Sequence, residues 1–184
     1  MTSVTAYAGT VVNNAGFGSA MWVTPANAQG NPATNVAGSS SSSIIFKSAP
    51  VFSQYLYATN FGFSIPSGNT INGIAVAATY QNGGTDYTTK LLKAGSLVGS
   101  NLATGATSPT SATIVTWGGS SNLWGTTWTY SDINNSSFGV AFAINITSTV
   151  GTTQCWGFAV TVTYAPTASG LLLALRRKSA HANF

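Results

Sequence analysis

The chain has 184 residues, which is the length of one ordinary domain. Charged residues make up only 4%, against about 25% in an average soluble domain. Glutamate is absent, and the only acids, histidine and cysteine are Asp86, Asp132, His181 and Cys155. These counts exclude an intrachain disulfide framework and leave too few ligands for zinc or calcium. We therefore predict a chain that is not an enzyme and that holds no metal or cofactor.

The basic residues are unevenly distributed. The formal net charge is +4, but Arg176, Arg177 and Lys178 stand side by side near the C-terminus. A nucleic-acid surface needs basic residues spread over one face, so we predict no nucleic-acid partner. No segment has the length of a transmembrane helix and the first residues show no signal-peptide pattern, so we predict no membrane partner and synthesis in a cytoplasm.

The predicted elements are almost all strands. Residues 1–43 are predicted to be loop-rich, because Gly, Pro, Asn and Ser recur through them. Asn82 and Gly83 are a strong hairpin signal between two strands. From residue 44 onward, runs of β-branched and aromatic residues predict strands over 44–46, 55–61, 74–80, 87–92, 113–117, 140–146 and 156–164.

The later strands alternate large apolar residues with small or hydroxylated ones. Such a strand packs one face on a core. About eight strands separated by short turn signals predict an all-β fold, a single antiparallel β-sandwich of jelly-roll-like type. We assign this domain to residues 1–165, and a linker with an extended C-terminal arm to residues 166–184.

The few titratable residues have structural interpretations. Asp132 follows Thr129 by three residues, the spacing of a helix N-cap, and Asp86 lies beside the predicted hairpin turn. Two carboxylates could form a glycosidase pair, but these two are assigned to separate structural roles. Cys155 lies in a strand and is predicted to be buried and inert.

Two groups of residues are candidates for binding. Trp117, Trp124 and Trp128 either stack on glycans or fill the sandwich, and the second is the commoner situation for tryptophan. The C-terminal arm is either a last element packed on its own domain or a segment that docks on a neighbouring subunit. Its candidate contact residues are apolar or basic: Leu171, Leu172, Leu173, Leu175, Arg176, Arg177, Lys178 and Phe184.

Two segments carry the most specific pattern. Residues 60–74 read NFGFSIPSGNTINGI and residues 117–128 read WGGSSNLWGTTW, followed by DIN at 132–134 and SFGV at 137–140. Together with Trp22 and PANA at 25–28, this order resembles a β-rich domain found in virion structural proteins of tailed bacteriophages and prophages. The resemblance covers about residues 5–165. The chain departs from it at Ala75, Ala77 and Ala78, where related domains carry more charge, and at Tyr130, where proline is common.

The resemblance implies a structural component of a virion. Within it we expect a capsid decoration (cement) protein that binds the major capsid protein, with a tail fibre or receptor-binding module for host glycans as the alternative. Proteins normally protect edge strands with charged residues, and this chain has few of them. We therefore expect other subunits of an assembly to cover its strand edges. We therefore also expect a homo-oligomer.

Overall fold

The computed structural model describes residues 1–34, 41–47, 49–149 and 151–166. The predicted C-terminal arm, with all eight of its candidate contact residues, lies outside the described residues, as does His181. Within the described part the fold is an all-β sandwich of two packed antiparallel sheets, as predicted. The jelly-roll connectivity stays a prediction.

The first sheet has five strands, and its hydrogen-bonded order is β1–β11–β6–β9, with β3 also paired to β11. The strands are β1 (Thr2–Tyr7), β3 (Ser42–Phe46), β6 (Asn69–Gln81), β9 (Thr113–Gly119) and β11 (Gly151–Pro166). β1 and β3 lie end to end along β11, opposite residues 159–164 and 151–155 respectively. β9 forms the other edge.

The second sheet has six strands in the order β2–β5–β10–β7–β8, with β4 also paired to β10. The strands are β2 (Thr10–Asn14), β4 (Val51–Phe52), β5 (Tyr55–Thr59), β7 (Gly84–Lys93), β8 (Ser96–Val98) and β10 (Gly139–Ile146). The hairpin predicted at Asn82 and Gly83 was wrong: the turn connects β6 to β7, but these two strands lie in different sheets and do not pair with each other. Both turn residues have positive φ angles, 57° and 99°.

The core lies between the two sheets and is built from the faces that period-2 alternation predicts. The residues of β6 and β10 predicted to share an apolar face are at most 1% exposed: Ile74, Val76, Ala78, Tyr80, Val140, Phe142, Ile144 and Ile146. Phe142 makes ring contacts with Tyr80 and Phe158 of the opposite sheet, at centroid distances of 5.2 and 5.8 Å.

Two further predictions about the strands need correction. The loop-rich interpretation of residues 1–43 missed β1 and β2, which are short and mix β-branched residues with Ser and Ala in β1 and with Asn in β2. Trp156 was expected on the same core face as Phe158, but the register shifts between Cys155 and Gly157. This β-bulge puts Cys155 into the main core cluster, and Trp156 is buried outside it.

The short helix α1 (Tyr130–Asn134) has the predicted cap. Thr129 Oγ1 accepts a hydrogen bond from the Asp132 backbone N–H (3.1 Å), and the Asp132 carboxylate accepts one from the Thr129 N–H (2.9 Å). This reciprocal pair satisfies two backbone donors that the first turn leaves without intrahelical partners. Asp132 is therefore part of a capping box, as the sequence predicted.

Candidate functional site

Five aromatic rings that remain partly exposed cluster on the outer face of the second sheet. Tyr55 and Tyr57 alternate along β5 with fully buried Leu56 and Ala58, so their side chains stand on the face away from the core. We call the cluster the aromatic patch, and it consists of Phe17, Phe52, Tyr55, Tyr57 and Tyr87.

Phe17 is the centre of the aromatic patch. Its ring centroid lies 5.3 Å from Phe52, 5.3 Å from Tyr55 and 5.4 Å from Tyr87. The planes of Phe17 and Tyr87 differ by only 9°, so these two rings are stacked. Tyr87 is the most exposed ring of the five, at 42%.

A β-bulge places Tyr87 in the aromatic patch. Ala143 pairs with Thr88 and Ile144 pairs with Asp86, so Tyr87 is an extra residue on β7 with no partner on β10. A bulge of this kind changes where a side chain points. Here it brings Tyr87 to within 4.5 Å of Phe52, measured between ring centroids.

Phe17 lies in a loop that is tied to β4. The backbone N–H groups of Ser19 and Ala20 both donate to the Phe52 carbonyl, at 3.0 and 3.1 Å. Gly18, between Phe17 and Ser19, has a φ of 65° and approaches the Ser53 carbonyl so closely that a Cβ would overlap it. The loop that carries Phe17 therefore depends on glycine at this position.

Small residues of the central strand lie next to the aromatic patch. Ala141 and Ala143 are on the outer face of β10, and both are fully buried. In register across the sheet, Ala141 lies between Tyr57 and Lys90. The accessible surface here therefore comes from the larger side chains and not from these alanines.

The aromatic patch has almost no charge. Burial, followed by the neighbouring Tyr55, raises the pKa of Tyr57, so its hydroxyl stays protonated and is available as a donor. Lys90 is the nearest charged residue in register, and both aspartates lie elsewhere, one in the core and one in the α1 cap. An uncharged aromatic surface fits protein interfaces and sugar rings better than it fits ionic ligands.

The three tryptophans predicted as possible glycan contacts lie in the core. Trp117, Trp124 and Trp128 are 4%, 0% and 7% exposed. Their indole N–H groups donate to the Asp86 carboxylate (3.0 Å), the Ile74 carbonyl (2.8 Å) and the Leu123 carbonyl (3.0 Å). None of the three has a ring face open to a sugar. Their burial agrees with the alternative prediction, that these tryptophans fill the core of the sandwich.

Asp86 is a buried carboxylate with protein donors around it. It is 2% exposed and accepts hydrogen bonds from the Trp117 indole, from the Thr104 N–H (2.9 Å) and from the Thr104 hydroxyl (3.2 Å). Burial, followed by the charge of Asp86, raises the pKa of Tyr80. Asp86 therefore links β7 to β9 and to the loop around Thr104.

Asp132 lies far from Asp86. Its carboxylate is 2.9 Å from the Lys93 ammonium group, and Lys93 follows Asp86 by seven residues, about 23 Å along an extended strand. Paired glycosidase acids lie about 5–9.5 Å apart. Burial alone would raise the pKa of Asp132, but hydrogen bonds from Lys93 and Thr129 outweigh it and lower the pKa.

Cys155 is the remaining candidate for a reactive side chain among the described residues, and it lies in the core. Cys155 is fully buried, and burial raises the pKa of its thiol to about 12. Among the described residues, no cluster of three or more His, Cys, Asp or Glu side chains could hold a metal ion. Over the same ranges no helix has the length and hydropathy to cross a membrane.

The aromatic patch was not among the sequence-predicted binding residues. A strand over 55–61 was predicted, and the structure has β5 at Tyr55–Thr59. The alternation of Tyr with Leu and Ala was the available signal, since it puts the tyrosine rings on the face opposite the buried Leu56 and Ala58. Phe17 and Tyr87 come from a loop and a bulge, which no periodicity marks.

No protein-family model, curated protein or solved structure matches the chain.

Proposed function

We propose that the chain is a non-enzymatic structural protein of a phage-like virion, specifically a capsid decoration protein that binds neighbouring capsid subunits. The proposal places it in the virion after synthesis in the host cytoplasm. The observation that carries the binding function is the aromatic patch, an uncharged cluster of five partly exposed rings on an ordered sheet. Clustered exposed apolar surface marks interaction sites, and tyrosine is enriched among residues that dominate interface energies.

The sheet beneath the aromatic patch supports the same proposal. Phe52, Tyr55 and Tyr57 stand on strands, and the Phe17 loop is hydrogen-bonded to Phe52, so little side-chain and loop entropy is lost when a partner covers them. A decoration protein makes this contact many times over on a symmetric shell. Modest affinity per copy then gives stable attachment.

The experiment compares two tyrosines of equal exposure. Tyr87 is 42% exposed in the aromatic patch, and Tyr7 is 43% exposed on β1 of the other sheet. Labelled chain is rebound to virions that have been stripped of it by mild denaturant. We expect Tyr87→Ala to weaken attachment about tenfold, because an interface tyrosine contributes more than about 1 kcal/mol, and Tyr7→Ala to bind like the parent.

Equal binding by both variants would contradict the role of the aromatic patch. Quantitative mass spectrometry of purified virions tests the position in the particle. A copy number comparable to that of the major capsid protein is expected, and a few copies per particle would contradict the decoration function.

A second candidate function is a receptor-binding module of a tail fibre that recognises host glycans. The observation that favours it is the chemistry of the aromatic patch, where three of the five rings carry hydroxyl groups: Tyr55, Tyr57 and Tyr87. Rings with polar edges suit sugars as well as proteins. A glycan-binding screen with Tyr87→Ala, and with Tyr7→Ala as control, tests this function.

A further inference from the structure

Some sheet edges in the described structure are covered by other parts of the chain. On β7, the segment after β8 provides cover, since Leu102 N–H donates to Thr89 O (3.0 Å) and Asp86 N–H to Ala106 O (3.1 Å). On β3, Val23 exchanges two backbone hydrogen bonds with Ser43, at 2.7 and 3.2 Å. These contacts satisfy backbone groups that an open edge would leave to solvent.

The edge formed by β9 has no such cover among the described residues. β9 pairs with β6 through all seven of its residues, and no described segment pairs with its other side. About half of its backbone N–H and C=O groups therefore point away from the sheet. Every residue of β9 except Trp117 is exposed or half-buried.

β9 also lacks the features that normally protect an edge strand. It contains no charged residue and no proline, and its register with β6 is unbroken by a bulge. Ile114 on its outer face is 48% exposed. Gly118 interrupts the extended backbone near the end of β9 with a φ of 74°, and the strand is otherwise an uncharged edge of seven residues. Such an edge is a template for another strand.

We propose that β9 pairs antiparallel with β9 of a second copy of this chain, joining two five-stranded sheets into one continuous sheet. This inference does not depend on the proposed function. Thr116 is the central residue of β9, so pairing about Thr116 is the register that uses the whole strand. The two copies are then related by a two-fold axis, the commonest symmetry of soluble oligomers.

The side chains of β9 are self-complementary in this register. On the outer face Thr116 meets Thr116 of the second copy, a favourable cross-strand pair. Ile114 meets Gly118, which has no side chain to exclude it. On the core side Val115 meets Trp117, which are both apolar, and no like charges face each other.

The length of β9 limits the strength of the pair. Seven residues span about 23 Å, and one strand pair of this length buries less than the roughly 1,200–2,000 Å² of a stable interface. We therefore expect a weak dimer in solution, which becomes strong where copies are held side by side.

The experiment measures the mass of the full chain and the hydrogen exchange of its β9 amides over a concentration series up to about 1 mM, the range of weak association. We expect a rise toward twice the monomer mass, with β9 amides becoming protected as the concentration rises. Thr116→Lys and Thr116→Glu each place like charges opposite one another at the two-fold axis. Each should raise the dissociation constant about fivefold or more.

Two further measurements make the result specific. An equal mixture of Thr116→Lys and Thr116→Glu should restore the dimer, which also shows that both variants are folded. Thr5→Lys is the matched control, because Thr5 is an exposed threonine on β1, the opposite edge of the same sheet. It should dimerise like the parent.

Three results would overturn the proposal. The first is a monomer at every concentration. The second is a loss in Thr5→Lys equal to that in Thr116→Lys. The third is protection of β9 amides that does not depend on concentration, which would mean that the chain's own segments cover this edge.

Discussion

Replacing Gly18 by alanine tests whether the loop that carries Phe17 is held as the structure describes. The φ of 65° at Gly18 costs an alanine about 1–2 kcal/mol. The new Cβ would also overlap the Ser53 carbonyl oxygen and lie 2.7 Å from the Phe52 carbonyl oxygen. Ser53 cannot move easily, because its N–H donates to Ile144 O and its hydroxyl accepts from Ile144 N–H, both at 2.9 Å.

The loop that carries Phe17, and not Ser53, must therefore move to relieve the clash. Moving the loop away breaks the hydrogen bonds from Ser19 and Ala20 to Phe52, each with a net contribution of about 0.5–1 kcal/mol. It also exposes the half-buried Phe17 ring, which costs about 1 kcal/mol more. We expect Gly18→Ala to lower the free energy of unfolding by about 3–5 kcal/mol.

Gly68→Ala is the matched control. Gly68 has a φ of 75°, but a Cβ there has no atom within 4 Å, so only the backbone cost of about 1–2 kcal/mol applies. Urea unfolding should separate the two variants by about 2–3 kcal/mol, and thermal unfolding by about 4–12 °C. Equal losses of unfolding free energy in the two variants would refute the close packing of the Phe17 loop against Ser53.

Two further predictions concern the aspartates. Trp117→Phe removes the indole donor to the Asp86 carboxylate, and Trp124→Phe removes one to a neutral backbone carbonyl. Because bonds to charged groups are stronger, Trp117→Phe should cost about 1 kcal/mol more in urea unfolding, and equal costs would contradict this role of Asp86. The lowered pKa of folded Asp132 means that its ionised form stabilises the protein above the unfolded pKa of about 3.9, and that this contribution is lost as pH falls through the folded pKa. The difference in Tm between the parent and Asp132→Asn should therefore be largest near neutral pH and shrink below about pH 4; a difference that does not change with pH would count against it.

The sequence predicted the sandwich because the long strands of the core alternate cleanly. In β6 and β10 every second residue is large and apolar, and the structure buries these residues as one face of each sheet. The capping box at Thr129 and the turn at Asn82 were predictable for a related reason, since each depends on residues close together in the chain. The pairing of the strands that flank this turn was not, because it depends on which sheet each strand joins.

Features that depend on distant parts of the chain were not predictable in this way. The bulge at Cys155 removes Trp156 from the expected core face, and the bulge on β7 brings Tyr87 to the aromatic patch. Phe17 reaches the patch through a loop whose position is set by Phe52, 35 residues later in the chain. Periodicity within one strand carries no information about such contacts.

The long strand β11 has a consequence for how the protein is made. It pairs with β1, β3 and β6, and it joins residues as far apart in the chain as Ser3 and Thr163, whose hydroxyls are 2.9 Å apart. A ribosome adds about 5–20 residues per second, so β1 waits roughly 8–30 s for its partner to be synthesised. The first sheet therefore assembles only after β11 has been synthesised, and non-local pairing of this kind is slow. Until then, β1, β3 and β6 are nascent strands that chaperones can bind.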